Sequence, residues 1–238
     1  MSNKHHASRA FAAIAVTAML LAGCGSSDSS KAAATDGTAK PAAQTTVTQQ
    51  GSTNDGASPA AVKLRTAVHQ LWAEHMQWTF ATVDAFFHDE PAVEPYLNRL
   101  LRNQTDIGSA IEPYYGKDAA KALGDLLTEH IKLAVPVLKA AQAGDKPALD
   151  KALSDWKANA QDVADFLSKA DPENWPQSAT RPMLESHIDQ TTTYATDLLK
   201  GDYESAVKHY DEAYSHMMML ADTLTDGLVA KFPAKFGY

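Results

Sequence analysis

Cysteine is nearly missing from this chain: Cys24 is the only one among 238 residues. No disulfide can form within it, and the Cys-x-x-Cys-His of covalent haem attachment is excluded. Any fold must therefore be held by its core. Also missing are a Gly-rich phosphate loop, a Gly-x-Ser-x-Gly elbow and a His-Glu-x-x-His helix, the short motifs of nucleotide, serine-hydrolase and zinc-protease chemistry. No stretch alternates apolar and polar residues with β-branched enrichment, so strands are not expected. Positive charge is scarce, with 21 Lys and Arg against 29 Asp and Glu and a net charge of −8. Removing residues 1–23 takes away Lys4 and Arg9 and no acid, which leaves −10. Such a chain is a poor partner for nucleic acid or anionic lipid.

What is present begins with a basic segment, an apolar run from Phe11 to Leu21 and "LAGC" ending at Cys24. This order is that of an export signal, and its core is too short to remain as a comfortable bilayer span. Leu21-Ala22-Gly23-Cys24 resembles the lipobox of bacterial lipoproteins, in which the Cys is lipidated, for example with palmitate, and becomes the new N-terminus. The expectation is a signal peptide at 1–23 and a membrane anchor at Cys24 on the extracytoplasmic face of the cell membrane. Several acyl chains on one Cys give stable attachment where a single chain does not. Residues 25–60 are rich in Ser, Thr, Gly, Ala and Gln and cannot bury enough surface to offset the entropy of ordering. Residues 24–60 read as lipidated Cys and tether, and the 36 residues after the Cys reach about 30–36 Å as a flexible chain.

Residues 61–238 have the length of one domain. Apolar residues three and four apart mark helices at about 62–87, 92–112, 117–143, 146–169, 179–200 and 203–230. "EPYYGKD" reads as the close of the second helix, Gly144 as the stop of the third, and Asp145 and Asp202 as caps. Pro136 predicts a kink near 132–136. Later apolar stretches are broken by charge at helical spacing, so no second membrane segment is expected. The architecture expected is all-α, an antiparallel bundle of four to five long helices plus one short helix.

One pattern recurs: "LWAEHM" at 71–76, "LLTEHI" at 126–131 and "MLESHI" at 183–188. His75, His130 and His187 each follow apolar residues at three and four positions, which puts the imidazole on the buried stripe of its helix. His216 repeats this weakly beside Ala213 and Met217. Bundle interiors are where metal and small-ligand sites are built. Taken singly, each of these histidines is more often a core residue satisfied by a neighbouring Thr, Tyr or carboxylate. Di-iron Glu-x-x-His pairs are absent, and Glu74 and Glu129, directly before their histidines, point about 100° away. The candidate metal set is His75, His130, His187, His216 and Glu212, the last four residues before His216. Imidazole with one carboxylate suits Zn, and imidazole with the thioether of Met183 or of Met217–Met219 suits Cu, although core filling is the commoner use of Met. Trp78, Met183 and Tyr194 are candidate ligand contacts in an apolar cleft that Trp72, Trp156, Trp175, Tyr114 and Tyr115 could also line. Asp189, Glu212 and Tyr210 with the histidines could form an acid–base site, but no spacing singles one out.

The stretches "LWAEHMQWT", "LNRLLRNQTDIGSAIEPYYG", "LLTEHI" and "GDYESA" resemble a family of small exported helical proteins of bacteria, some lipid-anchored, whose members often carry the label acetylglutamate kinase. The resemblance spans most of 64–232 and implies an exported helical bundle without an established activity. The kinase label does not fit, since that chemistry needs an α/β nucleotide-binding architecture with phosphate-cradling glycines. The functional expectation is a lipid-anchored binding protein with a histidine-bearing interior site for a metal or small ligand, with an enzyme ranked last. The alternative is an envelope scaffold with structural histidines, engaging a protein partner.

Overall fold

A computed structural model describes residues 57–88 and 91–238. Cys24, the signal segment and most of the tether lie outside the described residues. Six α-helices carry the fold: α1 Pro59–Phe87, α2 Val93–Ala110, α3 Glu112–Ala143, α4 Lys146–Ala170, α5 Gln177–Lys200 and α6 Tyr203–Lys231. Among the described residues there is no strand, and no helix is long and apolar enough to cross a membrane.

Local chemistry sets the boundaries. α1 starts at Pro59, before the expected domain boundary at 61, because Ser58 Oγ accepts from the Ala61 N–H and proline fits the first turn. Asp145 and Asp202 cap α4 and α6 through the Ala148 and Ser205 N–H groups at 3.1 and 3.2 Å. Gly144 and Gly201 close α3 and α5 in the left-handed region, at φ 67° and 73°.

The reading of "EPYYGKD" as a terminus needs correction. Pro113 sits in the first turn of α3, which starts at Glu112, one residue after Ile111 caps α2. Proline is acceptable there because first-turn N–H groups have no helical partner. The departure from helical dihedrals in α3 comes at Gly116, at φ 83° and ψ 173°, and the helix then runs through Pro136 to Ala143.

Consecutive helices pack on one another, and α6 returns to α1, so the helices close into a bundle. α1 also touches α3 and α5. Met76, Ile188, Leu198, Met217 and Leu220 are essentially without solvent contact. Each such side chain contributes roughly 1.5–3 kcal/mol of transfer free energy. Two close approaches fix the packing. A Cβ on Gly108 of α2 would lie 2.6 Å from the Ala120 carbonyl oxygen of α3. A Cβ on Gly227 of α6 would lie 2.1 Å from Nε1 of Trp175, the buried indole of the α4–α5 connection that donates to the Thr223 carbonyl.

The two ends of the folded part also meet. The Ser58 N–H donates to the Tyr238 hydroxyl at 2.8 Å. A 3-10 turn at Pro233–Lys235 brings the chain there, with Phe236 buried and stacked on Tyr114 at 6.0 Å.

Candidate functional site

The recurring stripe histidines arrive together. His75 of α1, His130 of α3 and His187 of α5 are 2, 5 and 3% exposed. The His187 ring centroid lies 5.5 Å from that of His75 and 5.9 Å from that of His130. Trp72 packs edge-on against His75 at 5.5 Å, and Trp156 of α4 lies against His130 at 5.2 Å.

Burial makes all three imidazoles neutral at ordinary pH. Desolvation is the first cause at each. It lowers His75 to about 3, helped by repulsion from His130 and opposed by the contact with Gln104. It lowers His130 to about 4 against the hydrogen bond to Asn159. His187 is held well below its ordinary value by burial and then by His75, His130 and His216.

Partners then decide where each proton sits. Asn159 Oδ1 can only accept, so His130 Nδ1, 2.8 Å away, carries the hydrogen and its Nε2 keeps a lone pair. Asn159 is fixed in turn by donating its Nδ2 to the Leu126 carbonyl at 3.2 Å. At His75 the polarity is reversed. Gln104 Nε2 lies 3.3 Å from His75 Nδ1, and a hydrogen donated there, in competition with the Leu100 carbonyl and Asn103 Oδ1 for the two amide hydrogens, puts the His75 hydrogen on Nε2. Gln104 cannot turn its amide over without facing the Leu100 carbonyl, to which Nε2 donates at 2.8 Å. His187 Nδ1 is buried with no partner, as is Nε1 of Trp156.

A partly enclosed cavity of about 70 Å³ adjoins the three rings. It runs from His75, His130 and His187 past Ile131, Val137 and Leu138 to Val83, Phe87 and Leu149, and its lining is almost wholly apolar. No Asp, Glu, Lys or Arg lines it. A smaller pocket behind the rings touches Trp72, Leu127, Ala160, Val163 and Leu184.

The other expected site residues lie elsewhere. His216 is close enough to His187 to affect it, but its Nε2 donates to the Met183 carbonyl at 2.8 Å. Glu212 is exposed, 4.0 Å from Lys208. Trp78 packs on Tyr96 and beneath Arg99, whose guanidinium pairs with Glu74. Tyr194 is buried against Phe80 and Tyr210, and burial raises both tyrosines. Trp78, Met183 and Tyr194 do not line the cavity beside the histidines. Among the described residues, no group of three or more His, Cys, Asp or Glu side chains is placed to hold a metal ion.

Gln104, Asn159 and Trp156 are the residues that the histidine pattern alone does not point to as functional. A signal for the amides existed: between Leu100 and Ile107 the buried stripe of α2 must pass through 103 and 104, which are Asn and Gln. On α4 Asn159 falls three residues after Trp156 and four before Val163, again on the stripe. Compared with family models, curated proteins and solved structures, the chain matches none of them.

Proposed function

We propose that this is a lipid-anchored, extracytoplasmic binding protein whose interior site, formed by His75, His130 and His187, takes a small molecule. The observation that supports it is the meeting of three buried, neutral imidazoles from three helices at one end of an apolar cavity. The opposed polarity of His75 and His130 suits hydrogen bonding better than metal coordination. A Zn or Cu ion needs a lone pair from every ligand, whereas Gln104 occupies that of His75 Nδ1 and leaves a hydrogen on Nε2. Anchoring at Cys24 and membership in the exported helical family rest on the sequence. The short joints at Gly144 and Gly201 support an antiparallel course for the helices they connect.

The second reading is an envelope scaffold with structural histidines. It is favoured by the separate amide partners of His75 and His130, and by Tyr203 and Val207, exposed on one face of α6. Ring-labelled histidine NMR separates the two. A bound compound moves the His75, His130 and His187 signals together and fails to do so in His187→Phe, while indifference of all three rings to a fragment library and to Zn²⁺ and Cu⁺ refutes the site. Anchoring is tested by radiolabelled palmitate, incorporated into the parent and not into Cys24→Ser.

A further inference from the structure

The walls of the cavity restrict its occupant more than the histidines do. Five threonines line it, and four of them have committed the hydroxyl hydrogen to their own helix, while Thr191 Oγ1 is buried without a partner. Thr79 and Thr82 donate to the His75 and Trp78 carbonyls at 2.7 and 2.6 Å. Thr192 and Thr196 donate to the Ile188 and Thr192 carbonyls at 2.8 and 2.7 Å. The lining residue with a buried indole N–H and no acceptor is Trp156, which is 4% exposed. An indole N–H only donates, and leaving it unmet in an apolar interior disfavours the folded state.

Charge and size narrow the class further. With no charged residue in the lining and the histidines neutral, neither a cation nor an anion finds a counter-charge there. A cavity of 70 Å³ is about half the size of the roughly 150 Å³ cavity that takes the six carbons of benzene, which admits a molecule of about three to five non-hydrogen atoms.

Resting on the reading of the histidine cluster as a binding site, we infer that the occupant is a neutral, compact carbonyl or hydroxyl compound of about three to five heavy atoms, whose oxygen accepts from Trp156 Nε1–H while its carbon groups fill the apolar end. A hydroxyl compound can in addition donate to His187 Nδ1 or Thr191 Oγ1, which are also buried without partners among the lining residues. The ceiling on binding by so few atoms puts Kd no tighter than roughly 40 µM for four heavy atoms and roughly 3 µM for five.

The test uses the ¹⁵N-labelled chain from residue 25, which contains every described residue. Its four tryptophans give four indole N–H signals, and Trp156→Phe identifies one by its loss. Titration with propanone and with 2-propanol is expected to move that signal downfield and saturably, while propane, which has no acceptor, leaves it in place. Ligand-observed NMR should show propanone binding at least tenfold weaker to Trp156→Phe. Ala134→Leu, which fills the cavity and leaves the donor untouched, should abolish the shift, and dispersed spectra of both variants establish that they are folded. An unmoved Trp156 signal, or an equal response to propane, overturns the inference. Histidine-ring signals that respond to Zn²⁺ or Cu⁺ while propanone does nothing would leave the histidine site standing with the wrong ligand class assigned. Silence to all probes would remove both.

Discussion

Mild acid is expected to unfold this protein in a pH range where its carboxylates are still ionised. In the unfolded chain the three imidazoles titrate at 6.5, whereas the folded protein holds His75 at about 3, His130 at about 4 and His187 well below its ordinary value. Their folded values are depressed, so the unfolded state binds more protons below pH 6.5, and stability falls as the pH falls. At pH 5 the difference is about 2 kcal/mol for His75 and about 2 kcal/mol for His130, relative to pH 7. The two together lose about 4 kcal/mol, a large part of the 5–15 kcal/mol typical of a domain, and His187 adds to it in the same direction. The lowered carboxyls, Asp165, Asp202 and Asp222, start from an ordinary value of 3.8 and add nothing between pH 5 and 7. Urea unfolding followed by circular dichroism reads the effect. With a slope near 2 kcal/mol per molar, the midpoint should drop by at least about 2 M from pH 7 to pH 5. His187→Met should make that drop smaller. A midpoint that stays flat across this range would refute the reasoning, because it would mean that the imidazoles accept protons inside the folded bundle.

Asn159→Leu should cost about 2–3 kcal/mol in urea unfolding, since it strands both the His130 Nδ1–H and the Leu126 carbonyl, and an unchanged midpoint would show that His130 has another partner. Gly227→Ala should destabilise by about 1–3 kcal/mol and change the fluorescence of Trp175, whose indole must move away from the new methyl group. Gly108→Ala should cost at least as much in thermal unfolding, because the methyl meets the backbone of α3 and not a side-chain end that can turn. The same substitution at Gly124, where the nearest atoms are 3.7 Å away, should be tolerated.

The helical architecture was legible because a 3.6-residue stripe and a capping residue are local properties, and the ends at Gly144, Gly201, Asp145 and Asp202 follow from φ and side-chain oxygen alone. Pro113 and Gly116 misled for the same reason. Both are breakers in isolation, and only the placement of α2 against α3 shows one opening a helix and the other bending it. The buried histidines were legible as stripe residues, and their meeting required only that α1, α3 and α5 face a common interior. What the pattern could not show was where each side chain of α6 turns: His216 lies near His187 but gives its Nε2 hydrogen to the Met183 carbonyl, and Glu212, four residues before it, is exposed. The amides that set the ring polarities were hidden in a different way, since Asn and Gln on a buried stripe look like gaps in an apolar pattern until the imidazole opposite is known.

The hydrogen bond between Ser58 and Tyr238 has a consequence for orientation. It places the entry of the folded chain and its exit at one pole, the N-terminal end of α1. Phe87, at the outer end of the cavity, is 29 residues further along the same helix, about 43 Å at 1.5 Å per residue. A chain held from its N-terminal side would therefore be gripped at the pole away from Phe87, and joining the chain across the Ser58–Tyr238 junction would let the point of attachment be moved to another helix connection without cutting a helix.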